Sequence, residues 1–352
     1  MSPAGAGPAL PGSPLPAGGA DPAAVAVAVE RLEGLGERNA PLGALTTYRV
    51  GGAAAVAVTA RSLADLGRVA DAAASSGLPV LVVGRGSNLL VSDAGFGGIA
   101  VLLGAEGFGE LRIEGDGTVA VVRAGAALAL PALARRSVEA GVRGLEWAVG
   151  VPGSVGGAVR MNAGGHGSDM AASTVAVEVL ELSGPSAGRP RRVAAAELDF
   201  AYRHSSIAAG SVVVSAELEA RWGDPGQGRE LVRSIVRWRR EHQPGGQNAG
   251  SVFTNPAPVA SDFGPGPGGK RDAPSAGALI EQVGMKGYRL GSARVSPKHA
   301  NFIQADPGGS ADDVYRLLRE VQTRVAEGLG VELRTEVRLI GFEPSTSTGG
   351  LQ

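Results

Sequence analysis

The 352-residue chain contains no cysteine, which removes disulfides, thiolate nucleophiles and zinc–thiolate sites together. Its four histidines, His166, His204, His242 and His299, are scattered and form no H-E-x-x-H pair, so no metal centre is expected. An excess of either charge is also missing. Thirty-three Lys and Arg against 34 Asp and Glu leave a net charge of −1, and no basic stripe marks a nucleic-acid partner. No apolar run is long enough to span a bilayer, and no basic-then-apolar leader opens the chain. Residues 1–21 are instead rich in Pro, Gly and Ala and are expected to form a disordered tail. What remains is a soluble globular enzyme or binding protein, expected in the cytoplasm without membrane insertion.

Glycine, by contrast, is plentiful at 56 residues, so a glycine cluster counts only when other residues support it. The periodicity alternates between helix and strand. Residues 22–37 suit a helix. Ser62 with Asp65 reads as a capping box before an apolar helical face of Leu66, Val69, Ala70, Ala73 and Ala74, which Gly77 stops. Strands are expected at 79–83, within 99–126, near 174–183 and at 211–220. A helix near 130–141 ends at Gly141, and one at 226–242 carries Leu231, Ile235 and Trp238 on one face before Pro244. Residues 256–275 are a Pro/Gly-rich loop. Ser310 then caps a helix with Val314, Leu317, Leu318, Val321 and Val325 on its buried face, and Gly330 ends it. In "VELRTEVRLIG" Val331, Leu333, Val337 and Leu339 alternate with Glu332, Arg334, Glu336 and Arg338, the pattern of a half-buried strand.

The chemistry concentrates in a few stretches. An apolar strand runs into Gly84-Arg85-Gly86-Ser87-Asn88, where bare backbone N–H groups can approach an anion. The Lys-Ser/Thr of a nucleotide-hydrolysing loop is missing, and taken alone the loop reads as a tight turn. A second glycine-dense stretch covers 149–167. Each loop is followed by an asparagine, Asn88 or Asn162, which suggests an extended ligand such as a dinucleotide touched from two sides. "PGSVG" is not a serine-hydrolase elbow, because Pro152 replaces the first glycine. Ser251 in "AGSVFTNP" reads as a strand end. Lys286, Arg289, Arg294, Lys298 and His299 form either a solvated basic face or a pocket for an acidic substrate. Glu336 reads as one rung of a surface charge ladder, and Arg203 as an arginine at a strand end.

Taken in order, seven segments resemble the UDP-N-acetylenolpyruvoylglucosamine reductase family. They are "TTYRVGG" (46–52), "GRGSNLLVSDAGFGG" (84–98), "GLEWAVGVPGSVGGAVRMNAGG" (144–165), "LDFAYRHSS" (198–206), "AGSVFTNP" (249–256), "AGALIEQVGMKGYRLGSARVSPKHANFI" (276–303) and "ELRTEVRLIG" (332–341). The resemblance implies an α+β fold. Two subdomains, about 40–100 and 101–245, would form an FAD-binding region of the vanillyl-alcohol-oxidase (PCMH) type. Residues 246–342 would form a substrate-binding α+β domain, and 343–352 a tail. The short span between Arg203 and Ser251 points to the compact subclass that lacks a tyrosine-bearing insertion. The implied activity is NADPH-dependent reduction of UDP-N-acetylglucosamine enolpyruvate to UDP-N-acetylmuramate through FAD, in peptidoglycan precursor synthesis, by a monomer. The implied catalytic residues are Arg203, Ser251 and Glu336. Tyr48, Gly84, Arg85, Gly86, Ser87, Asn88, Gly150, Pro152, Gly153, Ser154, Gly157 and Asn162 would bind FAD. Asn255, Lys286, Arg289, Lys298 and His299 would meet the substrate. The chain departs from the family pattern in its long 257–275 loop, in His166 where an aromatic is frequent, and in Gln304. A different flavoprotein oxidase of this fold is disfavoured by the serine of "GSVFTNP" and the basic segment 276–303, and a nucleotide-binding protein without catalysis by intact Arg203, Ser251 and Glu336.

Overall fold

The computed structural model describes residues 19–184, 187–256 and 274–342. Most of the expected N-terminal tail, most of the Pro/Gly-rich loop and the expected tail at 343–352 lie outside the described residues. Three units follow one another along the chain. The first comprises α1 (Pro22–Arg31), β1 (Gly36–Ala40), β2 (Ala54–Ala60), α2 (Leu63–Ser76), β3 (Val80–Val83), β4 (Leu89–Val91) and β5 (Phe96–Leu103). Its sheet runs β1-β2-β5-β3, with β5 parallel to both β2 and β3. Ser62 Oγ accepts from the Asp65 amide, and Gly77 closes α2 at φ 70°. Leu66, Val69 and Ala70 on α2 then bury against Val56, Val58, Ile99 and Val101 of the sheet. The helix expected over 22–37 is shorter. Leu35 and Gly36 amides both turn back to the Leu32 carbonyl, and Gly34 adopts φ 76°, so the chain leaves the helix and pairs as β1.

The second unit comprises α3 (Ala105–Phe108), β6 (Leu111–Glu114), β7 (Val119–Gly125), α4 (Leu130–Glu139), β8 (Val142–Arg143), α5 (Val155–Arg160), β9 (Gly164–Gly165), β10 (Ser168–Asp169), β11 (Thr174–Glu181), β12 (Pro190–Ala194), β13 (Ser211–Trp222) and α6 (Pro225–His242). An antiparallel sheet orders β12-β11-β13-β7-β6, with β8 against the end of β13. Leu180, Leu182, Val212 and Val214 from this sheet join the core beneath α2, so the first two units share apolar contacts. On α6 the buried residues are Gly228, Val232 and Ile235, while Leu231 and Trp238 are exposed. The helix is rotated from the expected face because Gly228 must sit against α4. A Cβ there would come within 2.8 Å of Val138.

The third unit comprises α7 (Ala276–Gln282), β14 (Arg289–Leu290), β15 (Ala293–Val295), β16 (Ile303–Ala305), α8 (Ala311–Leu329) and β17 (Arg338–Ile340). All five apolar residues expected on the inner face of α8 are buried. The alternating strand expected over 331–341 is not continuous. The Glu336 and Val337 amides both point to the Val252 carbonyl, a local bulge, and only Arg338–Ile340 pairs regularly, parallel to β4. That bulge breaks the period of two and turns Glu336 inward. No helix among the described residues is long and apolar enough to cross a membrane.

Asp93, just past β4, joins the first unit to the third. Its carboxylate accepts from Ser310 Oγ (2.6 Å) and from the Ala311 and Asp312 amides (3.0 and 3.1 Å), which satisfies free donors at the start of α8. Asp93→Ala is expected to cost about 1 kcal/mol, as loss of a helix cap does, and to lower the urea midpoint. An unchanged midpoint would show that these bonds are made as well with water.

Candidate active site

A cavity of about 830 Å³ is lined by segments of all three units. Both glycine loops form its wall, and close approach restricts Gly84 and Gly86. A Cβ on Gly84 would stand 2.7 Å from Ser154 Oγ, and one on Gly153 would face Ser87 Oγ at 3.6 Å, so the loops oppose each other. Gly86, at φ 62°, has the Leu45 carbonyl 2.4 Å from where its Cβ would lie. Ten of the twelve residues assigned to FAD line the cavity, namely Gly84 to Asn88 together with Gly150, Pro152, Gly153, Ser154 and Gly157. Tyr48 and Asn162 do not.

Tyr48 is buried in the core of the third unit, where desolvation pushes its hydroxyl pKa up, and its neighbour Thr47 lines the cavity instead. Asn162 is consumed locally. Its Nδ2 donates to the Ala201 carbonyl (2.9 Å) and its Oδ1 accepts from the Ala171 amide (2.9 Å). It therefore holds the turn that carries Arg203 rather than a ligand. Asn88 lines the cavity, but its Nδ2 donates to the Glu336 carbonyl (3.0 Å) and its own carbonyl accepts from the Arg338 amide (3.0 Å). The glycine loop is thus stitched to both sides of Val337.

Arg203, Ser251 and Glu336 all open on this cavity. Arg203 sits at φ 56° in a turn closed by reciprocal Ala201 and His204 backbone bonds, a left-handed conformation that non-glycine residues rarely adopt. Its Nε donates to Glu336 Oε1 at 2.6 Å and its Nη2 to the Gly164 carbonyl at 3.3 Å. The side chains of Arg203 and Glu336 are 25% and 16% exposed, so this pair is shielded from water rather than part of a surface ladder. Burial raises the Glu336 pKa more than the Arg203 charge lowers it, leaving the carboxyl above its ordinary value. Ser251 follows Gly250, at φ 77°, on a segment held by Asn301. The Asn301 carbonyl accepts from the Val252 amide, and its amide side chain bonds Phe253 in both directions. Neither Asn301 nor Asn88 has a sequence signal that separates a scaffold asparagine from a ligand.

The basic set does not line the cavity. Lys286 pairs with Glu281 (2.8 Å), Arg289 pairs with Asp306, and Lys298 Nζ donates to the Arg240 carbonyl (2.6 Å). The Nδ1 of His299 accepts from the Asn301 amide, and Asn255 Oδ1 accepts from the Ala276 amide. The cations that do reach the cavity are Arg85, Arg160, Arg203, Arg239 and Arg338. Arg160 and Arg338 stand inside the motifs at 144–165 and 332–341, but the regular strand pattern put Arg338 on an exposed face. The residues present fit a dinucleotide. Opposed glycine loops leave a cradle that side chains would fill, and the Nη2 of Arg160 is buried without a partner.

Residues 54–184 match the profile of a family described as FAD binding domain, and residues 242–340 that of the UDP-N-acetylenolpyruvoylglucosamine reductase C-terminal domain. The UDP-N-acetylenolpyruvoylglucosamine reductase of Heliobacterium modesticaldum is 41% identical over 312 residues, 88% of this chain and 92% of its own. That of Gloeobacter violaceus is 39% identical over 303 residues, covering 85% and 94%. The crystal structure of UDP-N-acetylenolpyruvylglucosamine reductase from Thermus caldophilus superposes with a TM-score of 0.69 at 32% identity, covering 86% of this chain and 98% of that one.

Proposed function

The chain belongs to the UDP-N-acetylenolpyruvoylglucosamine reductase family, and we propose that Arg203, Ser251 and Glu336 carry its chemistry. The protein is an FAD-dependent oxidoreductase that reduces the enolpyruvyl nucleotide sugar with NADPH in peptidoglycan precursor synthesis. The observation that supports the residue roles is their convergence on one cavity whose wall also holds both glycine loops. We place the FAD-binding region at 40–245 and the substrate domain at 246–342. We read the enzyme as a monomer working in the cytoplasm.

The loops 84–88 and 150–157 would hold the FAD pyrophosphate through backbone N–H groups and the hydroxyls of Ser87 and Ser154. FAD when bound supplies hydride chemistry, with two electrons taken from NADPH and delivered to the enolpyruvyl methylene carbon. Negative charge then develops on the neighbouring carbon and its carboxylate. Arg203 stabilises that charge from a preset position, since its turn is closed before substrate arrives. Ser251 donates the proton that completes the new C–H bond. A hydroxyl is a weak acid, but a carbanion next to a carboxylate is basic enough to take its proton. Glu336, protonated, donates a hydrogen bond to the enolic acid.

Purified protein with flavin absorbance that NADPH bleaches and the enolpyruvyl nucleotide sugar restores is the expected result. A colourless protein that never retains FAD would contradict it. The Glu336 role has a pH signature. Because its pKa lies above the ordinary value, the proton is present below that pKa and is lost as pH rises through it. Reoxidation of reduced enzyme by substrate should therefore slow on the alkaline side. Glu336→Gln, always a donor, should remove that limb while lowering the rate about 100-fold. A limb that persists in the Gln variant would assign the titration to another group.

A further inference from the structure

We propose that Asn162 is a positioning residue for Arg203: its side-chain amide, with the Ser205 hydroxyl, holds the left-handed turn that presents the guanidinium to the substrate. The proposal rests on the Arg203 role given above and adds the device that presets it. Three hydrogen bonds join residues 160–171 to residues 199–206. Asn162 Nδ2 donates to the Ala201 carbonyl (2.9 Å), Ser205 Oγ to the Arg160 carbonyl (2.8 Å) and Arg203 Nη2 to the Gly164 carbonyl (3.3 Å). Six non-glycine residues among those described have a left-handed φ, and four of them fall in these two segments: Asn162 (40°), His166 (55°), Asp199 (43°) and Arg203 (56°). Such conformations persist only where the surrounding structure holds them, and here the holding groups can be named.

The Ala201 carbonyl is where the hold acts. It accepts from the His204 amide at 3.0 Å, which closes the turn over Tyr202 and Arg203, and it accepts Asn162 Nδ2 as a second donor. A turn with positive φ at its third residue ordinarily takes glycine or asparagine there, so an arginine in that place depends on the added bond. Asn162 is in turn fixed to the core of the second unit. It is buried, its backbone amide donates to the carbonyl of fully buried Val159 (3.1 Å), and its Oδ1 accepts from the Ala171 amide (2.9 Å). Ser205, also buried, ties the far side of the turn to Arg160, the last residue of α5. Neither Asn162 nor Ser205 lines the cavity, so each acts through Arg203 and not on a ligand. Arg203 Nε meets Glu336 Oε1 at 2.6 Å. A turn that relaxes toward negative φ carries the guanidinium off that carboxyl and off the place where substrate charge develops.

The test is stopped-flow reoxidation of the reduced holoenzyme by the enolpyruvyl nucleotide sugar. Asn162→Gly deletes the amide bonds and leaves a left-handed φ free of strain, so the backbone can still adopt its fold. At saturating substrate the variant is expected to be about 10 to 100-fold slower, the effect of misplacing a preset group. Its alkaline limb should move to higher pH, because the Arg203 charge that lowers the Glu336 pKa is drawn away. In an Arg203→Met background the same substitution should change the rate by no more than about twofold, since the guanidinium it positions is gone. An asparagine that only supports the fold would leave the limb in place and slow both backgrounds equally, and either result overturns the proposal. A folded Gly variant that loses its flavin overturns it too, by returning Asn162 to the cofactor. Should the Gly variant fail to fold, Ser205→Ala, which deletes the second tether, is read in the same way. Normal reoxidation in Arg203→Met would remove the Arg203 role itself. Normal reoxidation in Asn162→Gly and Ser205→Ala beside a slow Arg203→Met removes this proposal alone.

Discussion

Ser251→Ala is expected to leave the bleaching of bound flavin by NADPH unchanged and to slow turnover of the enolpyruvyl nucleotide sugar by about 10² to 10⁴-fold. The two half-reactions separate because only the second needs a proton on carbon. NADPH gives up a hydride and no proton, so a serine on the cavity wall contributes nothing to its transfer. Reduction of the enol ether adds a hydride at one carbon and a proton at the next. Nothing else near that end is both placed and acidic enough. Arg203 keeps its protons, and the proton of Glu336 is assigned to the hydrogen bond with the enolic acid. The position of Ser251 does not depend on its own hydroxyl, because Asn248 Oδ1 holds the Gly250 amide and Asn301 holds the backbone of Val252 and Phe253. The alanine variant should therefore fold normally and keep its flavin. Stopped-flow spectra of each half-reaction check this, and normal reoxidation by substrate would assign the proton to another donor.

Arg203→Met is expected to lower the substrate half-reaction by about 10² to 10³-fold, the usual cost of removing one preset donor from a developing negative charge. The variant has a second consequence. The Arg203 charge is what pulls the Glu336 pKa down, and without it only burial acts, so that pKa rises further. A group with a raised native pKa contributes stability below its unfolded value, and that contribution is lost as pH rises through the native value. The variant should thus lose stability relative to the unmodified enzyme as the solution becomes more alkaline, and regain it in mild acid. Thermal midpoints across pH read this directly. Equal pH dependence in both proteins would mean that the Arg203–Glu336 contact is not maintained in solution.

The parts of this protein that were legible in the chain are those whose causes are local. α2 and α8 each carry a serine cap, an inward stripe at helical spacing and a terminating glycine, all within one stretch of sequence. The glycine loops, Arg203, Ser251 and Glu336 were legible as ordered motifs. Their surroundings were not. Periodicity put Glu336 and Arg338 on a solvated strand face, whereas a bulge opposite Val252 turns the segment and buries both against the cavity. The cluster Lys286, Arg289, Lys298 and His299 had the right charge for an anionic substrate, but Glu281, Asp306 and a backbone carbonyl neutralise or occupy three of its members. Asn88 and Asn162 looked like ligand donors, and both side chains bond protein groups, Asn88 while still lining the cavity. For Glu336, Asn88 and Lys298 the deciding partner is remote along the chain. Arg203 and Glu336 are 133 positions apart, and Asn88 meets Glu336 across 248. Caps and periodic faces are set by neighbours a few residues away, so sequence order carries them. The charge state and orientation of a site residue depend on which distant groups exclude its water, and folding alone brings those groups together.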